Sequence, residues 1–249
     1  MNQNKEMIPK NSPSPLCAII KKELRIYFNT PIAWVFIAVM FCVGSILFTI
    51  LNLFEASSAI GMVLLLLPWV FVVMTPLLTM RLIAEERGLK TDQLLLTSPI
   101  SVSDIVWGKL IAALAVFGAS IVLMLMYPII LEFYSSVEWG VVFTNYLGFF
   151  LLGSSLISIG LFISSLTENQ FTAAVITIAV LLAMFLISSF SGTTGIGVLD
   201  FIIDILKITR RFDSFYTGFI TLADFLYYVS ITVVFVLLTV YRIEKRKIK

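Results

Sequence analysis

The residues best suited to chemistry lie in one polar stretch, residues 81–109, which separates two long apolar segments. Three charged side chains stand together in it, Glu85, Glu86 and Arg87, and such charges can form ion pairs with a partner protein. A run of three leucines follows them: Leu94, Leu95 and Leu96. An apolar run within a polar loop usually marks a contact surface. The stretch therefore predicts a docking site for another protein, with a merely solvated charged face as the alternative.

Bond-making chemistry has few candidates in this sequence. It contains no histidine, which removes Ser-His and Cys-His catalysis, the HExxH zinc site and haem held by imidazole. The two cysteines, Cys17 and Cys42, are too few for a metal cluster or a disulfide framework. The sequence has no GxxxxGK[ST] phosphate loop, so it would not bind ATP by that route. We therefore expect no catalytic, metal or cofactor site in this chain and no nucleic-acid partner.

The composition explains why polar residues are confined to a few segments. Of 249 residues, 59% are apolar and 13% charged, and the mean hydropathy is +1.04. A soluble globular domain is about half apolar and a quarter charged, so we expect an integral membrane protein. A helix that crosses the hydrocarbon core needs about 20 apolar residues. Six stretches satisfy this length and predict an all-α integral membrane protein with six transmembrane helices: Ile32–Leu53, Gly61–Met80, Leu110–Leu131, Val142–Leu166, Phe171–Phe190 and Leu222–Tyr241.

The basic residues predict the orientation of these spans. Of the 17 Lys and Arg residues, five precede the first span, four lie in residues 81–109 and five follow the last span. The positive-inside rule places such segments in the cytoplasm. Both termini are therefore expected on the cytoplasmic side, which requires an even number of spans. Residues 246–249 form a predicted basic C-terminal tail.

Two helices are predicted in residues 81–109, one on either side of Pro99. Residues 83–96 are compatible with a helix, which Pro99 would end. Ser101 is followed three residues later by Asp104, a pattern that resembles a capping box. We expect a second helix to begin there and to run through Lys109 into the third span.

The fourth predicted span carries a face of small residues between Gly153 and Gly160. Small residues allow helix backbones to approach closely within a membrane. Close helix packing is the predicted use of this face, and the lining of a pathway is the alternative.

The segment before the first span has the pattern of a helix that lies in the membrane interface. Residues 1–15 are polar, so we expect a flexible N-terminal tail. Residues 16–30 have apolar positions at helical spacing and a basic face formed by Lys21, Lys22 and Arg25. This pattern predicts an amphipathic helix whose basic residues lie near anionic lipid head groups. The alternative is a basic flank of the first span that happens to be helical.

A second amphipathic region, residues 191–221, precedes the last span on the predicted outer side. Asp200 and Asp204 lie four residues apart on one helical face, and Phe212 and Phe215 keep helical spacing further on. We expect one or two interfacial or partly re-entrant helices here. A lid of purely structural importance is the alternative.

Several short motifs, in this order and spacing, resemble the membrane subunits of type-2 ABC exporters. The branch described as gliding-motility-associated ABC permeases is the most similar. The motifs lie at Pro76–Arg81 (PLLTMR), Ala84–Arg87 (AEER), Leu94–Ile100 (LLLTSPI), Val106–Lys109 (VWGK), Ser164–Gln170 (SSLTENQ) and Gly218–Tyr228 (GFITLADFLYY).

The resemblance implies a half-transporter, in which residues 31–245 form a type-2 transmembrane domain and residues 16–30 an elbow helix. A coupling helix within residues 81–109 would seat in a separate ATP-binding subunit. Glu85, Glu86 and Arg87 would pair with charges on that ATPase. The leucines of the run, Leu94, Leu95 and Leu96, would fill an apolar pocket.

The resemblance also implies the partners of the chain. Two ATP-binding subunits would carry ATP and Mg, and a second permease subunit, the same or related, would complete the pathway within the membrane lipid. Its location would be a bacterial or archaeal cytoplasmic membrane. The alternative function is a membrane scaffold that recruits a cytosolic ATPase or other machinery without transport.

Overall fold

The computed structural model describes residues 14–55, 59–89, 101–189 and 207–247, and the backbone in these ranges forms helices and turns without a strand. The predicted all-α fold class is confirmed. The helices are α1 Pro15–Asn29, α2 Pro31–Phe48, α3 Gly61–Thr79, α4 Ala84–Gly88, α5 Val102–Met124, α6 Met126–Glu132, α7 Trp139–Leu166, α8 Gln170–Ser189, α9 Phe212–Tyr216 and α10 Leu222–Lys247. A π-helical segment, Thr49–Phe54, extends α2.

The six predicted spans are confirmed by six helical segments of sufficient length and hydropathy to cross a membrane. They are Pro31–Phe54, Gly61–Gly88, Val102–Glu132, Trp139–Leu166, Gln170–Ser188 and Leu222–Arg246. Several are longer than the apolar stretch that predicted them. The last helix continues to Lys247 and so enters the predicted tail of residues 246–249.

Local sequence signals determine where the helices begin and end. Thr30 has an extended backbone (φ −99°, ψ 154°) and separates α1 from α2, because the residue before a proline disfavours the helical conformation. The predicted cap at the start of α5 is confirmed, since the Ser101 hydroxyl accepts a hydrogen bond of 3.0 Å from the Asp104 N–H. The predicted helix at 83–96 is described only as α4, because residues 90–100 lie outside the described ranges.

The third span is interrupted between α5 and α6, where Pro128 has no N–H to donate to the Met124 carbonyl. The Tyr146 hydroxyl of α7 donates to that carbonyl instead, at 2.7 Å. A neighbouring helix thus satisfies the backbone group that the proline leaves free, as a membrane environment requires.

Helix α7 is the centre of the bundle. Twenty of its 28 residues are buried, and it packs against α3, α5, α8, α9 and α10. The spans that contain α2, α8 and α10 lie at the periphery, where most of their apolar side chains are exposed or only partly buried. Apolar surfaces on helices of this length suit contact with the hydrocarbon core of a membrane.

Four phenylalanines from four spans meet beside α7. The ring of Phe117 lies 4.5 Å from that of Phe71, 5.4 Å from that of Phe149 and 6.5 Å from that of Phe36, measured between centroids. Gly153 of α7 faces the same Phe117 ring so closely that an added Cβ would overlap it. The small-residue face therefore serves close helix packing, as predicted.

The two ends of the bundle differ in character. At one end, ion pairs and hydrogen bonds join α1, α4, the start of α5, the turn between α7 and α8, and the end of α10. We call this the charged end, formed by residues 14–30, 81–89, 101–109, 164–170 and 242–247. The opposite end, formed by residues 59–61, 132–142 and 207–221, contains α9. Segments predicted to lie on the same side of the membrane therefore lie at the same end.

Replacing Gly153 with alanine tests the close packing of α7. We expect Gly153→Ala to lower the free energy of unfolding by about 1–3 kcal/mol, because its Cβ overpacks the Phe117 ring. Gly118 of α5 is a matched control, since no described atom lies within 4 Å of the Cβ position there. Gly118→Ala should leave stability unchanged or raise it by up to about 1 kcal/mol. Unfolding in detergent micelles measures both, and equal shifts would contradict the packing.

Candidate functional site

Helix α1 lies against α5 at the charged end and buries one carboxylate. Its buried residues are Ile19, Glu23 and Tyr27, which are spaced four apart and so form one face. The amphipathic pattern predicted an apolar face here and did not single out Glu23. This glutamate is only 6% exposed. A carboxylate on the buried face of a helix requires a counter-charge on the neighbouring element.

Lys109 of α5 provides that counter-charge. Its ammonium lies 2.9 Å from a carboxylate oxygen of Glu23 and 2.9 Å from one of Glu86. Glu86 is also 3.6 Å from the ammonium of Lys22, which lies on the exposed side of α1. The four side chains form a row of alternating charge, which we call the Lys109 network: Glu23, Lys109, Glu86 and Lys22.

The Lys109 network is electrically balanced, and this balance makes its burial possible. A single ammonium removed from water carries a large desolvation cost, which only close opposite charges can offset. Lys109 is only 2% exposed, and its ammonium contacts two carboxylates. One of them, that of Glu86, also lies near the ammonium of Lys22. The ion pairs of the network therefore hold three separate elements together: α1, α4 and α5.

A second set of contacts fixes α4 to the turn between α7 and α8. The Arg87 guanidinium donates to the carbonyl oxygens of Ser165 and Thr167 and lies 3.5 Å from the Glu168 carboxylate. The same carboxylate lies 3.2 Å from Arg246 of α10. The Ser164 hydroxyl accepts hydrogen bonds from the first N–H groups of the α4 segment, at 3.3 and 3.1 Å. Helix α4 is thus attached on both sides.

The remaining predicted coupling charge also has a partner within the chain. Glu85 accepts a hydrogen bond of 2.7 Å from Arg81, four residues earlier, and both side chains are about one quarter exposed. Arg87 is turned inward, with 5% of its side chain exposed. Glu85, Glu86 and Arg87 therefore take part in internal contacts, and their pairing with charges on an ATPase stays a prediction.

The other residues singled out by sequence have different positions. Lys21, Lys22 and Arg25 lie on the exposed side of α1, as the amphipathic pattern predicted, and their contact with lipid head groups stays a prediction. Five further residues lie outside the described ranges, so their predicted roles are untested: Leu94, Leu95, Leu96, Asp200 and Asp204.

Tyr27 fastens α1 to α3. Its hydroxyl donates a hydrogen bond of 2.6 Å to the Leu78 carbonyl, and its ring is 5% exposed. Burial raises the pKa of this hydroxyl well above its usual range, so it remains a neutral donor at physiological pH. Gly108 of α5 contributes to the same junction, because the side chain of Ile19 occupies the space that a Cβ would need.

At the opposite end, Phe212 and Phe215 of α9 are buried in the core. The Phe215 ring packs directly on Gly148 of α7. Nearby, Arg211 lies 3.1 Å from Asp224 and places its guanidinium 4.4 Å from the centre of the Tyr227 ring. The described part of residues 191–221 therefore covers the opposite end of the bundle through aromatic packing.

Six spans, of which α7 is the central one, and a balanced charge network at one end define a multi-pass membrane protein. The sequence of residues 48–241 matches the family model of the ABC-2 family transporter protein. The match covers more than half of the chain, so the chain belongs to the ABC-2 transporter family, and it is a membrane permease subunit of an ABC transporter. As such it is a transport subunit rather than a catalytic one. A search of curated proteins finds no match.

Replacing Lys109 with methionine tests the network. We expect Lys109→Met to cost about 3–5 kcal/mol of stability, because Glu23 and Glu86 then lack their shared buried counter-charge. Lys245→Met, at an exposed position on α10, is the control and should have little effect. Thermal unfolding in detergent measures both.

A triple neutral variant separates charge balance from simple loss of packing. Combining Lys109→Met with Glu23→Gln and Glu86→Gln should recover much of the lost stability, because no uncompensated buried charge remains. A triple variant as unstable as the single one would contradict the account of the network.

Proposed function

We propose that this chain forms one half of the pathway of an ATP-driven exporter and receives its energy from a separate ATP-binding subunit docked at the charged end. Membership in the ABC-2 family supports the general assignment, because this family normally works with an ATP-binding subunit. The resemblance to type-2 exporters, and among them to the gliding-motility-associated branch, supports the export direction. ATP and Mg would bind to the partner, which supplies the hydrolysis.

The observation that carries this proposal is the position of α4 within the Lys109 network. Glu86 of α4 is joined through Lys109 to α5 and, through Glu23, to α1. A displacement of α4 would therefore reach the third span and the interfacial helix without an intervening flexible segment. Rigid elements connected in this way can carry a small shift at one site into a larger rearrangement.

The coupling segment in this proposal is residues 81–109, which continues from α4 into the leucine run and returns at α5. The leucines would seat in an apolar pocket of the ATPase, and the charges around them would set its orientation. Arg87 would transmit the same movement to the turn between α7 and α8, because it donates to the carbonyls of that turn. Closing of the ATPase pair would then rock this half against its counterpart.

The orientation follows from the charges. Fourteen of the 17 basic residues belong to segments assigned to the charged side, so we place both termini in the cytoplasm of a bacterial or archaeal cell. Helix α1 would then lie as an elbow in the inner interface, with Lys21 and Arg25 toward anionic lipid.

The assembly in this proposal contains two permease subunits, the same or related, and two ATP-binding subunits. The exposed apolar sides of α2, α8 and α10 offer surface for the second permease and for lipid. Two subunits related by symmetry would frame the pathway between them, since most oligomers of identical subunits have closed symmetry.

The docking proposal is tested by Leu95→Asp. We expect this variant to lose at least about 90% of the ATPase that copurifies with the tagged chain, because a carboxylate in an apolar pocket costs several kcal/mol. Purification from native membranes, with photolabelling by an ATP analogue and an ATPase assay, measures the bound partner. Phe133→Asp is the matched control, since Phe133 is 84% exposed at the opposite end, and it should retain the ATPase.

Two outcomes would contradict the proposal in different ways. If Leu95→Asp retains the ATPase as fully as Phe133→Asp does, the leucine run is not the docking site. If the ATPase binds through this run but ATP drives no movement of any substrate in reconstituted vesicles, the scaffold function is the correct one.

A further inference from the structure

Large aromatic side chains are exposed where the first, third and fourth spans reach the end opposite the charged end. Tyr134 follows α6, Trp139 and Phe143 share one face at the start of α7, and Phe54 is the last residue of the first span. These four residues, which we call the aromatic rim, are between 49% and 81% exposed. An exposed apolar cluster of this kind usually marks a contact surface.

The members of the aromatic rim lie at a similar level along the bundle. The Tyr127 ring of α6 stacks on that of Phe48 with 5.0 Å between the centroids, so these two positions are level. Both spans run from the charged end toward the opposite end, and Phe54 and Tyr134 follow the stacked pair by six and seven residues. Trp139 then begins α7, which returns toward the charged end.

A second aromatic level lies at the start of the first span, near the charged end. The Trp34 ring packs edge-on against that of Phe28 with 5.8 Å between the centroids, and its indole N–H donates to the Phe28 carbonyl at 3.0 Å. Twenty residues separate Trp34 from Phe54, which corresponds to about 30 Å of helix. The hydrocarbon core of a bilayer has the same thickness, about 30 Å. The last span repeats the pattern, with Phe219 exposed just before it and Tyr241 exposed in its final turns.

The buried charges of the protein agree with these two levels. The ring of Phe36 lies 6.5 Å from that of Phe117, so Trp34, two residues before Phe36, is level with Ala115. Lys109 lies six residues further toward the charged end, which corresponds to roughly 9 Å. The Lys109 network therefore lies outside the interval between the two aromatic levels.

The composition of the aromatic rim suits the head-group region of a membrane. Tryptophan and tyrosine are enriched there, because the apolar ring contacts acyl chains while its polar group stays hydrated. The contact is apolar rather than ionic, since residues 132–142 include Glu132 and Glu138 and no Lys or Arg. A zwitterionic phospholipid therefore fits this surface better than an anionic one.

We propose that the aromatic rim is embedded in the head-group region of the leaflet opposite the charged end, with zwitterionic phospholipid as its partner. The connection between α6 and α7 is then an interfacial anchor rather than a loop that extends into water. Together with Trp34, the rim fixes the position of the bundle across the bilayer. This inference concerns the chain itself and is independent of the docking of an ATPase.

The test measures the depth of Trp139 in the full chain, reconstituted in nanodiscs of phosphatidylcholine. The chain has four tryptophans, so replacing Trp34, Trp69 and Trp107 with phenylalanine leaves Trp139 as the only one. Bromine atoms on the acyl chains, placed either near the head group or near the chain middle, quench tryptophan fluorescence at those depths. We expect the shallow bromine to quench Trp139 at least about twofold more than the deep bromine does.

Val234 provides a matched control, because it is half exposed near the middle of α10. Val234→Trp, in a chain whose four natural tryptophans are replaced by phenylalanine, should be quenched more by the deep bromine. If the replacements unfold the protein, the difference between the unchanged chain and Trp139→Phe gives the same profile for Trp139.

Two further measurements separate the possible surroundings of the rim. Iodide in the surrounding water should quench Trp139 less than about half as strongly as it quenches free tryptophan amide, because the head-group region limits its access. Adding phosphatidylglycerol to the nanodiscs should leave the bromine profile unchanged.

Four results would overturn the proposal. Strong iodide quenching without bromine quenching would place the connection in water. Protection from both quenchers would mean that another protein surface covers the rim. Stronger quenching by the deep bromine would place Trp139 inside the hydrocarbon core. Bromine quenching that appears only with phosphatidylglycerol would identify an anionic lipid as the partner.

Discussion

Lys109 brings a positive charge into the interior of a chain that has few charges, and the placement of three helices follows from how that charge is balanced. Its ammonium meets Glu23 of α1 and Glu86 of α4, both at 2.9 Å. The Glu23 carboxylate could not be buried alone, because the desolvation cost would exceed any gain from packing. Helix α1, which precedes the first span, is therefore held against the third span, and α4 is held beside both. Any movement of the bundle at this end has to move these elements together or break the network.

The packed core of the protein supports the elements of the charged end. Within a membrane, helices associate through close packing rather than through the exclusion of water. Helix α7 meets this requirement with glycines and serines that admit neighbouring side chains, and Gly153 beneath Phe117 is the closest example. The peripheral spans leave much of their apolar surface exposed, as helices that contact lipid do. The two ends thus differ, with balanced charges at one and the exposed aromatic rim at the other.

Local features of this fold were predictable from the sequence, and contacts between distant residues were not. The six spans follow from apolar length, and the start of α5 follows from Ser101 and Asp104, which are three residues apart. Glu23 and Lys109 are 86 positions apart, and nothing near either residue specifies the other. The amphipathic pattern of α1 could have drawn attention to Glu23, because it interrupts an otherwise apolar face between Ile19 and Tyr27. Glu23 and the whole of α1 also precede the region, 48–241, that matches the family model.

The proposed docking of an ATPase requires the charged end to face the cytoplasm. The side of the membrane on which Cys17 lies tests this claim most directly. Cys17 is exposed on α1, the helix that carries Glu23, whereas Cys42 lies within the first span. A membrane-impermeant maleimide should label the chain in permeabilised cells and inside-out vesicles but not in intact cells, and Cys17→Ser should abolish the labelling. Labelling of Cys17 in intact cells, at the rate seen after permeabilisation, would place the charged end outside and contradict the account.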